Sequence, residues 1–193
     1  DCGSWSSFTE ERISNEREAP AEILPDEFPP MKLSDIEINP EIRIKTNISE
    51  FDRVLGGGIV QGSLVLIAGD PGIGKSTILL QTSGELAKKG QKILYVTAEE
   101  SAGQLKLRAN RLGVNESNLY IYTQTNLECV RDQIEKLQPD TVVVDSIQAI
   151  YSQSITSSAG SVSQIRECCS ILMQIAKTKN ITMLIIGHVT KDG

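Results

Sequence analysis

The stretch from Leu64 to Ser76 constrains the fold more than any other part of the chain. Leu64-Val65-Leu66-Ile67-Ala68 is apolar at every position and is bounded by Gly62 and Gly69. It leads into Gly69-Asp70-Pro71-Gly72-Ile73-Gly74-Lys75-Ser76, and a helix-forming run follows. This is the pattern G-x-x-x-x-G-K-[ST] set between a buried strand and a helix, the context that the P-loop requires. Glycines admit φ > 0 and let bare backbone approach a ligand closely. The loop N–H groups and the helix N-terminus together make an anion site. Lys75 then reaches the β- and γ-phosphates of a nucleotide, and the Ser76 hydroxyl ligates Mg²⁺. The expected nucleotide-binding set is Gly69, Asp70, Pro71, Gly72, Ile73, Gly74, Lys75, Ser76 and Thr77, with ATP or ADP and Mg²⁺ as ligands. A surface glycine loop before a helix would give the same letters by chance, but not the strand in front of it.

The rest of the chain repeats this alternation. Apolar runs at Ile93–Val96, Leu119–Tyr122, Thr141–Asp145 and Ile181–Ile186 read as further strands. Unbroken Val, Ile and Leu predict strands covered on both faces, as in a parallel sheet. Between them, Lys75–Lys89, Ala102–Leu112, Leu127–Leu137 and Val162–Lys177 carry helical periodicity, with Gly90 and Gly113 placed as C-caps. The expected fold class is α/β, a three-layer P-loop NTPase with a mostly parallel central sheet.

Three acidic or basic positions at strand ends extend the site. Asp145 closes the run Val142-Val143-Val144, so its carboxylate emerges at a buried strand's C-terminal edge, where it can hold Mg²⁺ directly or through water. Glu99 follows the strand at Tyr95-Val96 and is placed to act as general base toward a water. Its neighbour Glu100 is read as the start of the next helix, where an acid complements the dipole. The catalytic set is thus Lys75, Glu99 and Asp145, and the metal set Ser76 and Asp145. His188, the only histidine, follows the fifth strand. It is either a contact to the γ-phosphate or a partly exposed strand-end residue. The polar stretch Ser154–Ser163 is a mobile ligand-binding loop or a plain linker. Arg166, one turn into the following helix, reaches phosphate or pairs in solvent.

Composition sets the remaining bounds. The chain has 193 residues and a net charge of −6, which argues against a wholesale basic nucleic-acid coat but not against a local DNA-binding loop. No apolar run approaches the roughly 20 residues of a membrane span, so no membrane partner is expected. Cys2, Cys129, Cys168 and Cys169 show no regular spacing, and the adjacent pair is expected to pack as small apolar residues in a reducing, cytoplasmic compartment. Residues 1–32 read as an acidic, proline-rich linker, and residues 33–193 as the core, truncated at its C-terminal end. The chain reads as a piece of a longer protein.

Taken together, these residues resemble the RecA superfamily, and more narrowly the bacterial RadA (Sms) recombination proteins. The resemblance runs over nearly the whole chain: the lead-in Arg43–Ser63, the loop Gly69–Thr77, Glu99-Glu100-Ser101, Asp145-Ser146-Ile147-Gln148, Gly160–Glu167 and Gly187–Gly193. It implies a RecA-like, DNA-dependent ATP hydrolase of recombinational DNA repair. Lys75 and Ser76 would bind phosphate and Mg²⁺, Asp145 would assist the metal, and Glu99 would activate water. It further implies loops at Ser154–Ser161 and from Thr190 onward that face single-stranded DNA inside a hexameric ring. Recombination intermediates and other recombination or replication proteins would be partners, and branch migration or helicase action the output. That family opens with a four-cysteine zinc finger. Only its end is matched here, from Cys2 to Glu11, and one cysteine cannot build a tetrahedral site, so Zn is expected in the full-length protein and not in this piece.

Two other readings share parts of the pattern. A KaiC-like regulatory ATPase also has the Leu55-Gly56-Gly57-Gly58 lead and paired glutamates. A nucleotide-gated assembly module would bind ATP without appreciable turnover. A replicative helicase of the DnaB type fits the lead-in less well.

Overall fold

The computed structural model describes residues 32–35 and 43–189. The expected linker and zinc-finger remnant, residues 1–31, and the segment from Thr190 onward lie outside the described residues. The chain divides into two units, residues 1–39 and 40–193. In the first, a single 3-10 turn at Leu33–Asp35 is described. All else belongs to the second.

The second unit opens with β1 (Arg43–Ile44), α1 (Ser49–Val54) and β2 (Ile59–Val60), the two strands pairing antiparallel. Asp52 is buried and its carboxylate accepts from both the backbone N–H and the hydroxyl of Thr46, each at 2.8 Å. Gly58 sits at φ +135, and a Cβ there would lie 2.7 Å from the Ile44 carbonyl oxygen. Only glycine lets the two strands close at this point.

Five parallel strands follow: β3 (Leu64–Gly69), β4 (Ile93–Thr97), β5 (Leu119–Thr123), β6 (Thr141–Asp145) and β7 (Thr182–His188). Their order across the sheet is β3-β7-β6-β4-β5. Helices α2 (Lys75–Lys88), α3 (Ala102–Arg111), α4 (Leu127–Leu137) and α5 (Val162–Lys179) form the connections. Each expected strand and helix is present, with ends shifted by at most two residues. Gly90 and Gly113 stand just past their helices at positive φ, as C-terminal glycines do.

Both sheet faces are covered. Leu94, Val96, Val142, Val144, Met183 and Ile185 face α4 and α5, where Leu127, Ile134, Cys168 and Leu172 complete one core. Ile93, Tyr95, Val143, Leu184 and Ile186 face α2 and α3, where Leu79, Leu80 and Leu105 complete the other. This two-sided burial holds for β4, β6 and β7 only. β3 and β5 are the sheet edges, and Leu66 and Tyr120 there are 55% and 43% exposed. The uninterrupted apolar run of β3 therefore overstates its burial, because sequence does not say which strand is outermost.

The adjacent cysteines part company. Cys168 is fully buried in the core, while Cys169 is partly exposed, and both are free thiols. Burial pushes the Cys168 thiol up to about 11. It therefore stays protonated and unreactive at neutral pH.

The packing of α2 yields a test. A Cβ on Gly84, in the middle of that helix, would meet the Val114 side chain at 2.9 Å. Alanine gains about 1 kcal/mol of helix propensity over glycine, but overpacking a closed contact costs about 1–3 kcal/mol. Gly84→Ala should therefore lower the urea unfolding midpoint. A raised midpoint would show that Val114 yields freely.

Candidate active site

Parallel pairing brings the ends of β3, β7, β6 and β4 to one edge of the sheet. Gly69 on β3 is opposite His188 on β7, and Thr97 on β4 is opposite Asp145 on β6. The loop Asp70–Gly74 leaves that edge and turns into α2. Gly72 and Gly74 have φ of +81 and +103, and a Cβ on either would meet nothing within 4 Å. In contrast to Gly58, the space beside these glycines is open, so the loop is a cradle with room for a ligand against its backbone. Gly74 caps α2 in the left-handed region and no side chain caps the helix, so the first-turn N–H groups remain available to an anion.

Lys75 is only 7% exposed. The sequence suggests a side chain open to phosphate; instead it folds back along the loop. Its ammonium donates to the Gly69 and Asp70 carbonyls at 2.7 and 2.8 Å. A cation held beneath an anion cradle is matched in sign to phosphate. Ser76 follows at the same helix start, and Asp145 stands at the end of β6. One hydroxyl and one carboxylate do not enclose a cation. They suit Mg²⁺, which keeps several waters and takes its other ligands from phosphate. No group of three or more His, Cys, Asp or Glu suited to a metal occurs among the described residues.

Asp145 is 6% exposed. Its Oδ2 accepts from the hydroxyl of Tyr95 at 2.7 Å, and the Arg108 guanidinium lies 3.8 Å from the same oxygen. Burial, then the charge of Asp145, pushes the Tyr95 hydroxyl well above the usual tyrosine range, so it remains a donor at all ordinary pH. Arg108 donates to Glu100 at 3.0 Å.

The paired glutamates thus have different partners. Glu100 turns toward α3 and its arginine. Its backbone N–H meets the Thr97 hydroxyl, and Ser101 then caps α3 in a capping box with Gln104. Glu99 turns toward β6 and β7. One of its oxygens accepts from the Ser146 hydroxyl, and His188 Nε2 lies 3.4 Å from that same oxygen. The His188 carbonyl in turn accepts from Gln148 at 3.0 Å. His188 thereby joins the cluster, and its side chain is 27% exposed.

The stretch after β6 is tied down by Glu128, which accepts from the Ser152 hydroxyl and the Gln153 N–H, and by Gln164. Gln164 is 1% exposed, and its amide donates to the carbonyls of Ser152, Ile155 and Ser157. The Ser154–Ser163 loop is therefore pinned at its base. Arg166 is exposed and forms no ion pair among the described residues.

Sequence reasoning missed Tyr95, Arg108, Ser146 and Gln164. Tyr95 alone gave a signal: a hydroxyl in the middle of an otherwise aliphatic buried strand must find a partner. The others depend on which helix face and which strand end meet.

A parallel sheet with a glycine-rich anion loop after its first strand and an acid ending a central strand defines a P-loop nucleotide-binding domain. Residues 27–193 match the family model described as AAA domain, and the chain belongs to that family. It is 50% identical over its full length to the DNA repair protein RadA of Bacillus subtilis (strain 168), covering 43% of that protein. It is 51% identical, again over its full length, to the DNA repair protein RadA of Streptococcus pyogenes serotype M6, covering 42%. Over 83% of the chain it is 55% identical to the DNA repair protein RadA of Listeria monocytogenes, covering 35%. The chain thus spans less than half the length of these relatives. The motif resemblance to RadA extends across the whole chain, and the domain is of ATPase type.

The Glu100–Arg108 contact is expected to act as a frame for the site. A double-mutant cycle of Glu100→Gln and Arg108→Gln, read by denaturant unfolding, should give a coupling of about 1 kcal/mol. Strict additivity would mean that the pair holds nothing together.

Proposed function

We propose that this chain is the ATPase core of a DNA repair protein, which couples binding and hydrolysis of MgATP to work on single-stranded DNA. One observation carries the reading. The anion loop, Asp145 and Glu99 converge on one sheet edge, in a chain about half identical, end to end, to proteins named for DNA repair.

In this reading the backbone N–H groups of residues 72–76 bind the phosphates. The Lys75 ammonium exchanges the Gly69 and Asp70 carbonyls for the β- and γ-phosphates, so its cost of desolvation is already met before the substrate arrives. Ser76 and Asp145 hold Mg²⁺, which when bound offsets negative charge on the phosphates. Glu99 accepts a proton from the attacking water. The Ser146 hydroxyl keeps that carboxylate aimed, and Glu100 serves the frame through Arg108. His188, joined to Glu99 on one side and continuous with the chain leading to Thr190 on the other, reads whether the γ-phosphate is present.

Output passes through the loops that leave the same edge. Ser154–Ser161 and the segment from Thr190 face DNA, in a hexameric ring whose central channel carries the strand, and the work done is branch migration of recombination intermediates in the cytoplasm. The net charge of −6 fits this arrangement only if DNA contacts are few and local. Among the described residues no helix is long and apolar enough to cross a membrane.

The test is MgATP hydrolysis by the full-length protein with and without single-stranded DNA. DNA should raise the rate. Lys75→Ala should abolish it while the protein still unfolds in a single cooperative transition, because the ammonium bonds loop carbonyls and not the core. Glu99→Gln should lower turnover by about 10²-fold or more while nucleotide still binds. A Lys75-dependent rate that ignores DNA would instead favour a KaiC-like regulatory ATPase, and binding without turnover an assembly module.

A further inference from the structure

Tyr95 lies in the centre of β4, wholly buried on the α2/α3 face of the sheet. Asp145 is two residues further along the neighbouring strand's register, since Tyr95 pairs with Val143 and Thr97 with Asp145. Both side chains therefore fall on the same face, and the phenol reaches forward to the carboxylate at 2.7 Å.

The carboxylate has a second suitor. Arg108 Nη2 lies 3.8 Å from the oxygen that Tyr95 holds, too far for a hydrogen bond, and both Nη2 and Nε of that guanidinium are buried without a hydrogen-bond partner among the described residues. The guanidinium is partly buried and already donates to Glu100 through Nη1, and its two remaining unpartnered nitrogens would attract a second nearby carboxylate into a direct pair. Here the pair is not closed. The Tyr95 hydroxyl occupies Oδ2 instead. Asp145 Oδ1 takes no hydrogen bond from any described residue.

We propose that Tyr95 is the positioning residue of the metal-assisting carboxylate: its hydroxyl anchors Asp145 Oδ2, keeps the side chain from collapsing onto Arg108, and leaves Oδ1 presented to the cation or its waters. The proposal rests on the reading of Asp145 as a Mg²⁺ residue. It adds a hydroxyl in the core that acts on the metal only through that carboxylate, in the way that outer partners orient the ligands of metal sites generally. Tyr95 does not itself touch nucleotide or metal.

The test uses full-length protein and a fluorescent ATP analogue, read by equilibrium binding as Mg²⁺ is titrated, so that no turnover is needed. Wild type, Tyr95→Phe, Asp145→Asn and the double variant are compared, each with its thermal unfolding midpoint. Tyr95→Phe should raise the half-saturating Mg²⁺ concentration by about tenfold and leave metal-free nucleotide affinity unchanged. In the Asp145→Asn background it should add nothing. Arg108→Gln placed on Tyr95→Phe should recover part of the loss, because the competing cation is gone. This last variant also decides the matter if Tyr95→Phe loses stability: recovery of Mg²⁺ response without recovery of the midpoint supports the positioning role. An unchanged Mg²⁺ response in Tyr95→Phe overturns the proposal, provided that Asp145→Asn shifts it. So does a Tyr95→Phe effect of equal size with and without Asp145, which would make the residue a packing element only. If wild type binds nucleotide but Asp145→Asn leaves the Mg²⁺ response unmoved, the metal reading of Asp145 falls and this inference falls with it.

Discussion

Parallel strands cannot be joined by tight turns; each needs a crossover that returns the chain to the starting edge before the next strand begins. That constraint organises this protein. With β3, β7, β6, β4 and β5 all parallel, every strand exits at the same edge. Gly69, Thr97, Asp145 and His188 are separated by up to more than a hundred residues of sequence, yet the ladder sets them opposite one another in pairs. The helices that make the crossovers also cover the two faces, so the apolar character that buries β4, β6 and β7 and the polar character of the exit edge have a single origin. Ligands of open α/β sheets bind at this edge for the same reason.

The edge is also where charge is handled. The chain is acidic overall, yet the cradle at Gly69–Ser76 concentrates N–H groups and one ammonium. Opposite it, the carboxylates are kept apart by giving each its own partner. Glu100 takes Arg108, Asp145 takes Tyr95, and Glu99 takes Ser146 and His188. Two adjacent glutamates leave a strand in different directions, which is why they can differ in role although nothing in their local sequence separates them. Left unpartnered in one cleft, three carboxylates would repel one another and compete for protons.

What the sequence made legible was whatever local pattern determines. The strand-loop-helix around Lys75 is specified by glycines and apolar runs within a dozen residues. Asp145 is marked by the valines before it, and the helix ends by Gly90 and Gly113. Illegible was whatever depends on neighbours in space. Leu66 looks as buried as Leu94 until the sheet order puts β3 at an edge. Arg108 reads as a solvated helix residue until the register of β4 against β6 carries Asp145 beneath it. Lys75 reads as reaching toward phosphate until its ammonium is seen bonded to two loop carbonyls. Gln164 looks like an ordinary first-turn residue until its amide is seen to gather three loop carbonyls.

The polar atoms left without partners make an argument independent of any motif. Eight buried side-chain nitrogens and oxygens have no hydrogen-bond partner among the described residues, and five of them belong to Glu100, Arg108, Gln148 and His188. A buried polar group without a partner costs about 1–3 kcal/mol, so folded chains keep few of them. These five sit around one sheet edge, beside Asp145 and Glu99, where the glycine loop also leaves room against its backbone. A structure selected for stability alone would spend these donors and acceptors on each other, for example by closing the 3.8 Å gap between Arg108 and Asp145. Here Oδ2 is held instead by the Tyr95 hydroxyl, so the polar edge is tied to the buried strand behind it through one hydrogen bond.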